Sequence, residues 1–179
     1  MSLAVKKYST ALFETVKEED CLDEVYEQFR QVYIELKENA DFNKILHTEI
    51  LTVEEKNGIF EAALRDGNPY LLNFFRLLTE RERTNELEEM FIEFEELYKT
   101  EKNILEVTAV TAIELNDDDK QRVREMLEKK YDKTIYITYQ VDQSILGGMV
   151  LYVGETVLDA SLKSKFNGLK NNMKQVRLT

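Results

Sequence analysis

The hydrophobic period of this chain changes once, near residue 104, and that change decides what it can fold into. Over the first hundred residues, apolar side chains recur at helical spacing; beyond them they alternate. A helix brings residues three and four apart onto one face, whereas a strand brings every second residue to one face. Neither pattern can bury its apolar side in the other conformation. The chain is therefore read as a helical bundle followed by a small module that contains strands.

In the opening segment Ala4, Tyr8, Ala11, Leu12 and Thr15 share a face, widened by Val5, Phe13 and Val16. Asp20 is an expected N-cap for a second helix with the stripe Leu22, Val25, Phe29, Val32, Tyr33 and Leu36. Phe42, Ile45 and Leu46 suit a short third helix. Thr52-Val53-Glu54-Glu55 reads as a capping box opening a fourth, which buries Ile59, Phe60, Ala63 and Leu64. Asn68-Pro69 starts a fifth, because proline at the first helical position has no N–H to lose. Its Leu71, Leu72, Phe74, Phe75, Leu77 and Leu78 line more than one side. Such a helix is either central to a bundle or faces a partner as well. Thr84 is an expected cap for a sixth, carrying Leu87, Met90, Phe91, Phe94, Leu97 and Tyr98.

Beyond the change of period, Leu105, Val107 and Ala109 alternate with Glu106, Thr108 and Val110. Asn116-Asp117-Asp118-Asp119 opens a charged helix with Val123, Met126 and Leu127 inward, its acids suiting a helix N-terminus. Residues 134–141 alternate again, with Ile135, Ile137, Tyr139 and Val141 on one face. Residues 146–153 form a third strand, Gly154-Glu155 a turn, and residues 156–158 a short return. Asp159 or Ser161 caps a last helix bearing Leu162, Phe166, Leu169, Met173 and Val176. The expected fold class is α+β: a six-helix bundle over residues 1–104, then a small α/β domain with a short mixed sheet over 105–179.

Charge narrows the partners. Acidic residues outnumber basic ones 35 to 24, a net charge of −11. A phosphate backbone or an anionic lipid surface repels such a chain, so neither nucleic acid nor membrane insertion is expected. No apolar run approaches the length of a membrane span. The N-terminus, Met1-Ser2-Leu3-Ala4-Val5-Lys6-Lys7, lacks the long apolar core of a signal peptide.

A search for chemistry finds little. No glycine-rich phosphate loop occurs among the six glycines, and Gly147-Gly148 is better explained as a strand bend or a close backbone approach. His47 and Cys21 are each alone of their kind, so no disulfide within the chain and no zinc site can be built from them. A hydrolase or transferase acting through His47 or Cys21 is the rival reading, with a packed cysteine and an ordinary histidine as the simpler one. No cofactor, metal or catalytic residue is expected.

With these residues in hand, the chain resembles the delta subunit family of bacterial ATP synthase, whose mitochondrial counterpart is the oligomycin-sensitivity-conferring protein. Lys7-Tyr8-Ser9-Thr10-Ala11-Leu12-Phe13 looks like the family's opening Y-A-x-A-L. Asn73-Phe74-Phe75-Arg76-Leu77-Leu78, with Glu80 and Arg83, looks like N-F-L-x-L-L-x-E-x-x-R. Phe94 and Leu97 match F-x-x-L, and residues 107–115 look like V-x-V-x-(S/T)-A-x-x-L. Ile145-Leu146-Gly147-Gly148 through Gly154, then Asp159-x-Ser161, is the most specific signature. Ser9 stands where the family usually has Ala, Thr111 where Ser is frequent, and Glu82 where Gly is frequent. Ser9 is expected to add a polar atom near the groove described next.

The resemblance implies a non-catalytic stator subunit, one copy per complex, peripheral on the cytoplasmic face of the bacterial plasma membrane. Its bundle would bind the N-terminal helix of an alpha subunit in a groove between the first and fifth helices, residues 4–16 and 69–78. Tyr8, Leu12, Leu71, Phe74, Phe75 and Leu78 would line that groove. The C-terminal domain would grip the peripheral-stalk b subunits, with Gly147, Gly148, Gly154, Asp159 and Ser161 in structural roles. The connector would keep the catalytic head from turning with the shaft during proton- or ion-driven ATP synthesis. The alternative is a generic adaptor with two modules and no link to a rotary enzyme.

Overall fold

The computed structural model describes residues 2–48, 51–64, 67–154 and 156–160, and the chain divides into two compact units, Met1–Glu101 and Lys102–Thr179.

The first unit contains helices α1 (Leu3–Glu18), α2 (Leu22–Glu38), α3 (Ala40–His47), α4 (Val53–Ala63) and α5 (Pro69–Glu80). A 3-10 turn (Thr84–Glu86) then leads into α6 (Leu87–Glu101). Local sequence sets most of the starts. Ser2 Oγ accepts from the Val5 N–H at 3.2 Å. The capping box of α4 is complete: Glu55 N–H donates to Thr52 Oγ1 at 3.2 Å, and Thr52 N–H donates to the Glu55 carboxylate at 2.9 Å. Asn68 Oδ1 accepts from the Tyr70 N–H at 3.0 Å, with Pro69 in the first turn.

Two expected caps are corrected. Asp20 does not cap α2; Cys21 holds that position, and its side chain makes no capping hydrogen bond to the first turn. Asp20 instead ends α1 in the left-handed region, at φ 54°. Its N–H donates to Lys17 O and that of Cys21 to Val16 O, the paired bonds of a Schellman termination. Those bonds satisfy backbone carbonyls that would otherwise be left over at the helix end. Thr84 opens a 3-10 turn rather than capping α6, and its buried hydroxyl donates to Leu46 O at 3.4 Å. It ties the turn to the end of α3.

Aromatic rings fill the centre of the bundle. Phe29 is fully buried and its ring lies 5.2–5.8 Å from those of Phe74, Phe75, Phe91 and Phe94. Three of these four contacts are edge-on, the arrangement the ring quadrupole favours. Phe60 of α4 stacks on Phe75 at 4.5 Å. Ser9 also belongs to this interior. It is fully buried against α6 and donates to Met90 O at 2.8 Å, so its polar atom is satisfied inside the bundle rather than placed near a groove.

The second unit is built from β1 (Ile104–Thr111), α7 (Asp117–Tyr131), β2 (Thr134–Val141), β3 (Met149–Val153) and β4 (Thr156–Asp159). The sheet is mixed, in the order β2-β1-β3-β4, with β1 and β2 parallel and the other neighbours antiparallel. Parallel neighbours need a crossover, and α7 supplies it. Val107, Ala109, Ile135, Leu151 and Val153 pack with Leu127 of α7 in its core.

Here three expectations shift. Met126 is 53% exposed, so α7 turns Leu127 inward, with Val123 partly buried beside it. Val141, at the end of β2, is also exposed, although Ile135, Ile137 and Tyr139 do share the core side. The third strand begins at Met149 rather than Leu146, because Gly147 and Gly148 hold φ of 127° and 84°, which a strand cannot use. Ser161 and the expected last helix, with Leu162, Phe166, Leu169, Met173 and Val176, lie outside the described residues.

Candidate functional site

Helices α1 and α5 are antiparallel neighbours. The Tyr70 hydroxyl, at the start of α5, meets the Glu19 carboxylate just past the end of α1. That hydrogen bond holds the Tyr70 phenol above its ordinary pKa. At the other end, the Arg83 guanidinium lies 5.9 Å from the ring centre of Tyr8. The pair is thus pinned at both ends, with a face between them.

Five of the six residues expected along that groove are buried in the bundle itself. Leu71, Phe75 and Leu78 are fully buried, Phe74 and Leu12 nearly so. Their apolar surface is already spent on Phe29, Phe60 and the rest of the core. Tyr8 alone of the six stays half-exposed. What α1 and α5 offer outward comes from the next positions round each helix. On α1 these are Ala11 and Thr15, both exposed; on α5 it is Leu77, 38% exposed, while Asn73 lines the pocket between α4 and α5. Thr15 donates its hydroxyl to Ala11 O of its own helix at 2.8 Å, so it asks no hydrogen bond of a partner. Leu77 was visible as part of the stripe. Its outward position follows from the 100° step once the buried set of Leu71, Phe75 and Leu78 is fixed.

The remaining named residues have local roles. Gly154 turns β3 into β4 at φ 56°, with open space where a side chain would begin, so conformation and not crowding favours glycine there. Asp159 ends β4 opposite Val150. Cys21 is half-buried, its thiol donating to Val16 O at 3.6 Å, and burial pushes its pKa up, away from a reactive thiolate. His47 is the last residue of α3. Among the described residues no group of three or more His, Cys, Asp or Glu could hold a metal ion. None of the described helices is long and apolar enough to cross a membrane.

Comparison with known proteins gives the family. The model of the ATP synthase delta (OSCP) subunit family matches residues 4–173. ATP synthase subunit delta of Caldanaerobacter subterraneus subsp. tengcongensis is 34% identical over 173 residues, covering 97% of each chain. That of Lactobacillus gasseri is 33% identical over 168 residues, covering 93% of this chain and 92% of its own. A chain in the Toxoplasma gondii mitochondrial ATP synthase hexamer shares the fold at a TM-score of 0.72, with 22% identity over 97% of this chain and 98% of that one. The chain belongs to the ATP synthase delta (OSCP) subunit family. It is a stator subunit of a rotary ATP synthase, which disfavours the reading as a generic adaptor, and by family it is non-catalytic.

Glu82 sits at φ 55° just past Arg81, the C-cap of α5, and the N–H groups of Glu82 and Arg83 donate to Thr79 O and Leu78 O. This is a second Schellman termination, and its left-handed residue is where glycine costs least.

Proposed function

We propose that this subunit ties the catalytic head to the peripheral stalk, with the N-terminal helix of an alpha subunit docked across α1 and α5. Unit 102–179 holds the C-terminal ends of the b subunits. One copy serves each complex, peripheral on the cytoplasmic face of the plasma membrane. Torque on the head is then resisted through two interfaces on one chain, and each raises the effective concentration of the other.

The observation that carries the head-binding half is the outward face of the α1/α5 pair. The buried residues of both helices complete the core, yet Ala11 and Leu77 remain outside it, with Tyr8 half-buried at its edge. A partner helix packing here meets Ala11 on one side and Leu77 on the other, apolar contacts of the kind that helix-in-groove binding uses. Support for the stalk-binding half is the family membership of the whole chain.

Titration of the full chain with a synthetic peptide of the cognate alpha subunit's N-terminus tests this. Saturable 1:1 binding is expected, with amide shifts gathered in residues 4–16 and 69–81. A well-folded chain that shows no binding would remove the groove from the mechanism. Capture of the b subunits' C-terminal segment by unit 102–179 within the full chain is the parallel test for the stalk.

A further inference from the structure

The two ends of the α1/α5 face carry opposite charge. At the end formed by the close of α1 and the start of α5 stand Glu14, Glu18, Glu19 and Asp20, all exposed. Lys17 is nearby, but its ammonium is committed to Glu101 of α6 at 2.6 Å. At the other end stand Lys7, Arg81 and Glu82, also exposed. Lys6 adds positive charge on the far flank of α1. Arg83 is paired with Glu86 at 3.1 Å, and Arg76 with Glu80 at 3.1 Å. The acidic end is therefore strongly negative and the other end weakly positive.

Backbone dipoles do not blur this difference. The helices are antiparallel, so at each end the terminus of one offsets the opposite terminus of the other. Side chains are left to set the field. From Lys7 to Glu18 the rise along α1 is about 16 Å. That is about twice the screening length of roughly 8 Å at physiological salt, so a partner meets two separate fields.

We propose that the α1/α5 face reads the direction of the helix that docks on it: it takes an amphipathic helix with a basic first turn over Glu14, Glu18 and Glu19, and an acidic last turn over Lys7 and Arg81. The inference rests on the groove reading above. The partner's N-terminus, positive by its own dipole as well, then lies at the end of α1, so the helix runs antiparallel to α1 and parallel to α5. The reverse direction sets its acids against three carboxylates, and like charges at an interface suppress the wrong arrangement.

Two hydrocarbon-stapled peptides test this against the full chain. They share one apolar stripe, one composition and one net charge; one carries lysines first and glutamates last, the other the reverse. Stapling keeps their helicity equal, and equal net charge removes the effect of the chain's overall acidity. The lysine-first peptide is expected to bind about tenfold more tightly at low salt, the size that two or three exposed charge pairs supply. The gap narrows at high salt. A nitroxide on its first residue broadens amides in residues 15–20 and Tyr70 most, and those in residues 4–8 and Arg81 least. Glu14→Lys with Glu18→Lys should erase or invert the preference. Equal affinities, tighter binding of the glutamate-first peptide, or broadening at the opposite end would overturn the polarity and leave the groove standing. Saturable binding by neither peptide would overturn the groove reading and the polarity together.

Discussion

Replacing Phe75 with alanine separates a core role from a contact role. Phe75 is fully buried; its ring stacks on Phe60 at 4.5 Å and meets Phe29 edge-on at 5.5 Å. Removing the ring forfeits a transfer term of about 2–3 kcal/mol. The cavity left between α2, α4 and α5 adds to it, which puts the whole within the roughly 3–5 kcal/mol usual for such truncations. The aromatic pair terms are part of that loss and are not added again. Against a total stability of about 5–15 kcal/mol, this is a large fraction. At about 2 kcal/mol per molar urea, the midpoint of the first unit's transition should fall by roughly 2 M. The assay is urea unfolding by circular dichroism, fitted with a separate transition for each unit. It is paired with calorimetric titration of the alpha-subunit peptide under conditions where the variant is folded. Affinity per folded molecule should be unchanged. A large loss of affinity with the midpoint unmoved would mean that Phe75 touches the partner, and the inference from its burial would be wrong.

Leu77→Asp should show the opposite pattern: at least tenfold weaker binding of the same peptide, because an apolar contact is replaced by a charge that docking must desolvate, with a stability change under about 0.5 kcal/mol. Glu82→Gly should stabilise the chain by about 1 kcal/mol by relieving the left-handed backbone, whereas Glu82→Ala should gain little, a comparison that thermal melts resolve. Gly58→Ala should add about 0.5–1 kcal/mol to the same melts, since Gly58 lies inside α4 and nothing stands within 4 Å of the added methyl. Tyr26 donates to Glu95 at 2.9 Å, and burial together with that carboxylate holds its phenol far above the ordinary 10.0. The folded state thus keeps a proton that the unfolded state releases, so this contribution is whole below pH 10 and is lost as pH rises beyond it. The alkaline fall in melting temperature should be steeper in the native chain than in Tyr26→Phe.

Most of the fold was legible because its signals are local. The Thr52 to Glu55 capping box, Asn68-Pro69 and the switch from helical to alternating period each act within a few residues, and the elements they open, α4, α5 and β1, formed where they were expected. What was missed depends on geometry that no local pattern carries. Asp20 is a good capping residue, but the end of α1 claimed it first, because the Schellman bonds satisfy two carbonyls. Ser9 could be placed on a helix, though not on the side that meets the Met90 carbonyl. Leu12, Leu71, Phe74, Phe75 and Leu78 were visible as an unusually wide apolar surface. Width alone cannot say which part of it the bundle consumes; that requires knowing that Phe29 and Phe60 lie against it.

That consumption bears on how a stator subunit can hold a loaded partner. Were Phe74 and Phe75 the contact residues, an empty groove would leave two aromatic rings in water, and the bundle would have to rearrange between free and bound states. Packed as they are, α1 and α5 are fixed by the core, and the proposed docking of a helix on their shared face demands little reordering. The cost of ordering side chains and loops on binding, about 0.5–1.5 kcal/mol for each immobilised side chain, is then small for Ala11 and modest for Leu77 and Tyr8. A preformed face also transmits force with little give, because a close-packed interior is poorly compressible. Stability of the aromatic core and stiffness of the connection are in this sense the same property. A variant that loosens the core while sparing the face, such as Phe75→Ala, should therefore bind its peptide normally and still weaken coupling between rotation and synthesis in the assembled enzyme.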